Sequence, residues 1–240
     1  MFTIGALVTL VWMMFRVLSE PRPRGTAGPE AEELARSLEA WSYPEGWQTT
    51  GAVKWTFAGR HQLLWDRYRQ LISVRFDGVH VLRHLHTATG GRVFRRGREI
   101  LGPERGALLD KAYAIWANDS FWLNPLEKLF DDGVVRQRVA LPEGGYGLLV
   151  TYRSGGVTPG DAYLWLTDER GAPRAFKMWV SVIPIGGLEA SWEGWKTLAT
   201  GARVSTVHRV GFKAVELTQI AAARSLLDLT GGEDPFAVLF

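Results

Sequence analysis

The chain has 240 residues, 46% of them hydrophobic and 22% charged, a balance typical of a globular protein with one domain or one large sheet. It has no cysteine, which excludes disulfides, thiolate zinc sites, iron–sulfur clusters, cysteine nucleophiles and lipid attachment at a lipobox. Its net charge is only +3, with acidic residues spread throughout, so the charge gives no support for nucleic-acid binding.

The N-terminus begins with an uncharged apolar run, Phe2–Phe15, which ends at Arg16. A membrane-spanning helix needs about 20 apolar residues, so this run better fits the hydrophobic region of a signal peptide. No basic residue precedes the run, and Arg22 and Arg24 follow it. We predict that residues 1–18 are a signal peptide or N-terminal membrane anchor, which places the chain in the periplasm or on the periplasmic face of the inner membrane. An anchor facing the cytoplasm and a soluble N-terminus are the alternatives.

The next segments predict a linker and a helix. Residues 19–29 contain three Pro and two Gly, a composition typical of a linker. From Pro29 to Trp41, apolar residues recur at helical spacing, and the first turn is rich in glutamate, which suits the helix dipole. This segment is therefore predicted to be an amphipathic helix.

Beyond residue 52 the apolar period changes from 3.6 to 2, which predicts strands. The Asp77-Gly78 pair between two alternating runs indicates a hairpin, and further glycine-rich turns separate later strands. Gly102–Ala117 has a helical apolar stripe. The predicted strands cover residues 53–58, 63–65, 72–76, 79–86, 92–100, 136–141, 146–152, 162–167, 174–183 and 204–212.

Together these elements predict an α+β protein with one large, curved antiparallel sheet. Residues 30–230 would form a single domain, followed by a C-terminal tail over residues 231–240. No internal repeat is visible.

Two segments resemble a known family. Trp116-Ala-Asn-Asp-Ser-Phe-Trp-Leu123, followed by Pro125, and Gly156-Val-Thr-Pro-Gly-Asp-Ala-Tyr163 are similar to segments of uncharacterised bacterial relatives of the lipoprotein carriers LolA and LolB. The similarity extends over roughly residues 50–210. It implies a half-barrel of antiparallel strands closed by helices over an apolar cavity, which in the carriers accepts acyl chains.

Large aromatic residues at alternating strand positions are the candidates for ligand contact. The chain has 11 Trp, and Trp is enriched where apolar surface meets a polar group. Concave apolar surfaces are the usual form of small-ligand sites. We therefore expect five residues to contact a lipid or lipoprotein acyl chain: Trp55, Phe57, Trp65, Trp165 and Trp179. The alternative is that these side chains fill the core and that the protein is an interaction or sensor module with a protein partner.

The residues of the two family-like segments are expected to have structural roles. Asn and Asp are common capping and turn residues. We expect the aromatic pair Phe121 and Trp122 to tie a helix to the sheet. The structural set is Asn118, Asp119, Phe121, Trp122, Thr158 and Asp161.

The remaining polar clusters do not predict chemistry. His80, His84 and His86 share one strand face, but His80 and His84 would lie about 13 Å apart, too far for one metal ion, so a solvent-facing row is favoured. The basic cluster Arg92–Arg98 could meet acidic lipid headgroups or form a solvated strand. No nucleophile elbow, phosphate-binding loop, dinucleotide fingerprint or zinc-protease motif occurs. The sequence therefore predicts a binding protein without enzymatic activity, metal or cofactor.

Overall fold

The structure is a computed structural model that describes residues 19–240; the predicted targeting segment lies outside this range. Among these residues, no helix is long and apolar enough to cross a membrane. The α-helices run over Pro29–Ala40 (α1), Pro44–Gln48 (α2), Pro103–Leu123 (α3) and Leu226–Thr230 (α4), with 3-10 turns at Pro125–Lys128 and Ala237–Leu239.

The predicted fold class, α+β with a large antiparallel sheet, is confirmed. The strands are Ala52–Phe57 (β1), His61–Asp66 (β2), Leu71–Phe76 (β3), Val79–His84 (β4), Gly91–Arg95 (β5), Arg98–Glu99 (β6), Val134–Ala140 (β7), Tyr146–Tyr152 (β8), Ala162–Thr167 (β9), Pro173–Trp179 (β10), Leu188–Ser191 (β11), Lys196–Thr197 (β12), Arg203–Val204 (β13), Val207–Val210 (β14) and Lys213–Ala223 (β15). Thirteen of them form one sheet in the order β6-β5-β4-β3-β2-β1-β15-β14-β11-β10-β9-β8-β7, and because its two edge strands, β6 and β7, do not pair with each other, the sheet is open. The two short strands β12 and β13 pair with each other.

The chain forms two compact units. The first unit comprises residues 19–38, 129–192 and 209–213. Its strands β7 to β11 pair in sequence order, and alternate side chains separate to the two faces. Leu164 and Leu166 pack in an aliphatic cluster with Val139, whereas Trp165 packs among aromatic rings.

The second unit comprises residues 39–128, 193–208 and 214–240, and it contains α3 and strands β1 to β6. Helix α3 begins at Pro103, where proline suits the first turn, and ends before Pro125 because a residue preceding proline disfavours helical geometry. Buried residues of α3, such as Leu109 and Ala112, pack against the apolar side of the strands. We call this side the helix-covered face.

The opposite face of the same strands is partly covered by the C-terminal residues. Phe236 is completely buried and clusters with Leu71, Leu82 and Leu226. Alternation within each strand therefore supplies two apolar surfaces, one for α3 and one for the chain terminus. Residues 231–240, expected from the sequence to be a tail, include this buried anchor.

Several element boundaries differ from the prediction. Helix α3 continues six residues beyond Ala117, to Leu123, because these residues keep helical geometry up to the stop at Pro125. The predicted strand over 92–100 divides into β5 and β6 at Arg96-Gly97, where both residues have positive φ, 50° and 80°. The sequence did not predict the long strand β15, because its mostly small and polar residues show no clear apolar alternation.

Candidate functional site

The three aromatic residues predicted on β1 and β2 lie together on the helix-covered face. Trp55 and Phe57 are 2% and 9% exposed and belong to one core cluster, and Trp65 packs against it. The Trp65 ring meets Trp116 of α3 edge to face, with the ring centroids 5.2 Å apart. In this unit the helix-covered face is therefore occupied by the protein's own side chains.

The other two predicted aromatic residues lie in the first unit. Trp165 is fully buried, and its ring centroid lies 5.2 Å from that of Phe176 and 5.0 Å from that of Trp192. Trp179 is half-buried, and its indole N–H donates to the carbonyl oxygen of Glu20 at 2.9 Å. Trp179 packs against the aliphatic cluster that contains Leu164, on the face opposite to Trp165, so the five predicted contact residues do not line one surface.

Asn118 and Asp119 lie inside α3, so the expectation that they follow the helix as capping residues is wrong. The carboxylate of Asp119 is 1% exposed and accepts from Asn118 Nδ2 at 2.9 Å; its other oxygen lies 2.8 Å from Nδ1 of His61. Burial raises the pKa of Asp119, although both partners favour its charged form. This pair ties α3 to β2. Nothing in the sequence indicated His61 as the partner, since it lies 58 positions away.

The other residues of the family-like segments contact residues that are distant in the sequence as well as near neighbours. Phe121 and Trp122 are half-buried, and the Trp122 ring centroid is 5.1 Å from that of His208. In the first unit, the Asp161 N–H donates to the Thr158 carbonyl at 3.3 Å, and the Asp161 carboxylate accepts from the Ser181 N–H at 2.9 Å. Asp161 thus fixes a turn to a second loop.

A groove lies on the opposite face of the second unit. It has a volume of about 650 Å³, adjoins a smaller depression of about 460 Å³, and is bounded on one side by Pro235 and Val238 of the C-terminal segment. The cross-strand register aligns Gln62, Arg75, His80 and Phe94 as one row along its floor. We call this feature the outer groove.

The outer groove combines apolar side chains with unpaired cations. Phe94, Leu82 and Val238 supply apolar surface. Four basic residues line the groove or its adjoining depression, and within the described range, residues 19–240, no ion pair joins any of them to a carboxylate: Lys54, Arg60, Arg75 and Arg96. The acidic lining residue, Asp77, pairs with Lys111 at 3.1 Å. The groove therefore has a net positive charge beside an apolar wall.

His80 lines both the outer groove and its adjoining depression. Its Nε2 is 2.8 Å from Ser73 Oγ, and its ring centroid is 6.2 Å from that of Phe94. Burial, and then the positive charge of Arg75, lower the pKa of His80 from 6.5 to about 4, so the imidazole is neutral at pH 7. His80 is half-buried and not fully solvent-exposed, and β4 ends at His84, so His86 does not belong to the expected histidine row on this strand. The alternation in the sequence predicts the correct strand parity of His80 but not its partial burial.

The described residues offer no ready metal centre. Within residues 19–240 no group of three or more His, Asp or Glu side chains is arranged to hold a metal ion.

The fold and the groove define an α+β protein with an open antiparallel sheet and an amphipathic surface groove. No protein-family model and no curated protein match the chain. Among solved structures, it is similar to a DUF1329 family protein from Desulfovibrio piger, with 10% identity and a TM-score of 0.39 over 80% of this chain and 92% of that one.

Proposed function

We propose that this chain is a non-enzymatic binding protein for an amphiphilic, lipid-like ligand, and that the ligand occupies the outer groove. The observation that carries this proposal is the apolar wall beside unpaired cations, in a groove of about 650 Å³. Small-ligand sites commonly have volumes of about 300–1,000 Å³ and combine apolar lining with a few polar groups. An amphiphile presents the matching combination of an apolar chain and a polar head.

The ligand is assigned to the groove and not to Trp55, Phe57 and Trp65, because those side chains already pack against each other and α3. Inserting an acyl chain there would require the core to open. In the groove, each methylene that leaves water contributes roughly 0.8 kcal/mol before the costs of association. Ten buried methylenes would give about 8 kcal/mol before those costs, so micromolar binding also requires contacts to the polar head group.

We further propose that the protein acts in the bacterial cell envelope, as a relative of the LolA and LolB carriers. The support is the apolar run Phe2–Phe15 together with the two family-like segments. Acyl chains of lipids or lipoproteins are the corresponding ligand class.

Displacement of a neutral fluorescent probe tests the binding proposal. N-phenyl-1-naphthylamine becomes more fluorescent in apolar sites, and we expect it to bind the full chain saturably and to be displaced by a twelve-carbon amphiphile. Phe94→Ala should weaken amphiphile binding about tenfold, the equivalent of about 1.4 kcal/mol of lost apolar contact. Tyr68→Ala removes an exposed aromatic ring that does not line the groove and is the control. The proposal fails if the folded protein binds no probe, or if both variants behave alike.

A second candidate function is an interaction or sensor module with a protein partner. The packing of Trp55 and Phe57 on the helix-covered face favours it, because a filled interior needs no ligand for stability. This function is favoured if the folded chain binds no amphiphile and a cross-linked partner protein is recovered from its native host.

A further inference from the structure

We propose that the head group of the groove ligand is an anion and that its binding adds a proton to His80. This inference rests on the proposed function and specifies both the ligand's head group and its control by pH. The expected consequence is tight binding in mildly acidic conditions and release as the pH rises.

The geometry brings a hydrogen-bonding pair and a cation to one place. Arg75 lies directly opposite His80 in the β3–β4 register, and Ser73 Oγ is 2.8 Å from His80 Nε2. Arg75 and His80 line both the outer groove and its adjoining depression. A ligand atom bound beside Arg75 would therefore also lie beside the imidazole.

The charges around His80 are mainly positive. Apart from Arg75, the groove contains Lys54 on β1, Arg60 before β2 and Arg96 after β5, while Gln62 of β2 is neutral. The C-terminal segment contributes only uncharged residues, Pro235 and Val238. Asp77, after β3, is the acidic group in this lining, and Lys111 neutralises it. An anion complements this set, whereas a cation would be repelled.

Proton uptake follows from the two causes that keep His80 neutral. Burial disfavours the imidazolium, and Arg75 repels it. A bound anion would offset the charge of Arg75 and attract the imidazolium directly, so the pKa of His80 is higher in the complex than in the free protein. By linkage, affinity must then increase as the pH falls through the pKa of the complex towards the free value of about 4.

The head-group arm of the experiment compares competitors that share a twelve-carbon chain and carry an anionic, a neutral or a cationic head group. At pH 5.5 and below micelle-forming concentrations, 1-dodecanesulfonate should displace the naphthylamine probe about tenfold more tightly than 1-dodecanol, and dodecyltrimethylammonium should be weakest. Methanesulfonate, the head group alone, should not compete. In Arg75→Gln the preference for sulfonate over alcohol should decrease about threefold or more, whereas Arg170→Gln, an exposed cation of the first unit, should leave it unchanged.

The pH arm uses the same sulfonate because its charge does not titrate. Between pH 6.5 and pH 4.5 its affinity should increase by as much as about tenfold per pH unit. His80→Gln should abolish this dependence, and His84→Gln, a histidine of the same strand outside the groove lining, should retain it. Circular dichroism verifies that each variant stays folded over this range.

The outcomes separate the two proposals. Equal affinity for sulfonate and alcohol, or a pH dependence that persists in His80→Gln, overturns the inference but leaves amphiphile binding intact. Competition by methanesulfonate at similar concentrations would identify a site for free anions and overturn the proposal that the ligand is an amphiphile. Failure of every competitor in a folded protein overturns both the inference and the proposed function.

Discussion

Phe236→Ala tests whether the C-terminal segment is an integral part of the second unit. The Phe236 side chain is completely buried against Leu71, Leu82 and Leu226. A buried Phe removes about 150–250 Å² from water, and at about 25 cal/mol per Å² this gives about 4–6 kcal/mol as an upper bound. Phe→Ala substitutions in cores cost about 3–5 kcal/mol. We expect a loss of about 3–4 kcal/mol, since the terminal segment can partly collapse onto the gap.

Hydrogen exchange measured by mass spectrometry checks this loss locally. A decrease of about 3 kcal/mol corresponds to about a hundredfold faster exchange in the peptides that contain β3 and β4, provided that exchange occurs through opening of this unit. Urea denaturation of the same variant should show the same decrease. Leu227→Ala is the matched control, because Leu227 is 51% exposed on the neighbouring helix α4. A cost under about 1 kcal/mol for Phe236→Ala, or one no larger than that of Leu227→Ala, would show that the C-terminal segment is not an integral part of this unit.

Three further predictions concern packing at two glycines, the titration of His80 and export directed by the N-terminal segment. Gly46→Ala should destabilise the protein by about 2–3 kcal/mol, because the added Cβ would clash with the backbone nitrogen of Ala202. Gly106→Ala, in α3 with open space around it, should stabilise the protein by about 0.5–1 kcal/mol. Urea denaturation measures both changes, and equal effects would contradict the close packing around Gly46. The fold favours the neutral form of His80 and lowers its pKa from 6.5 to about 4. The stability that depends on a neutral His80 is therefore complete above pH 6.5 and decreases as the pH falls to about 4. Allowing for its partial exposure, wild type should lose about 1–2 kcal/mol more than His80→Gln over that range, and parallel pH profiles would exclude this. Fusion of residues 1–40 to alkaline phosphatase should give an active enzyme in a bacterial host if Phe2–Phe15 directs export; an inactive cytoplasmic fusion would reject that role.

The strand content of the chain could be predicted because alternation has a direct physical cause. Successive residues of a strand point to opposite faces, so every second residue points to the same face. Val53, Trp55 and Phe57 therefore all lie on the helix-covered face. The same rule correctly gave the facing of Ile72 and Val74. It failed for β15, where small and polar side chains carry no clear alternation, and at Arg96-Gly97, where positive φ values interrupt an apparently continuous run.

The sequence predicts which face of the sheet carries the candidate ligand-binding side chains, but not whether that face is open to a ligand or filled by the core. Periodicity put Trp55 and Trp65 on the same side of the sheet, and this is confirmed. It could not decide whether that side would be open or filled, because the answer depends on how closely α3 packs against it. The length of α3 was itself underestimated, so Asp119 was expected outside the helix although it is a buried residue within it.

The sequence by itself determined the α+β class, the strand parity and the absence of thiol chemistry, since composition and local periodicity act over a few residues. Tertiary structure alone decided where the groove lies. Pro235 and Val238 line the groove together with residues of β3 to β5 that lie more than 130 positions earlier in the sequence. Burial and electrostatic environment depend on contacts between segments distant in sequence, and no local pattern encodes which distant segment will cover a given strand face.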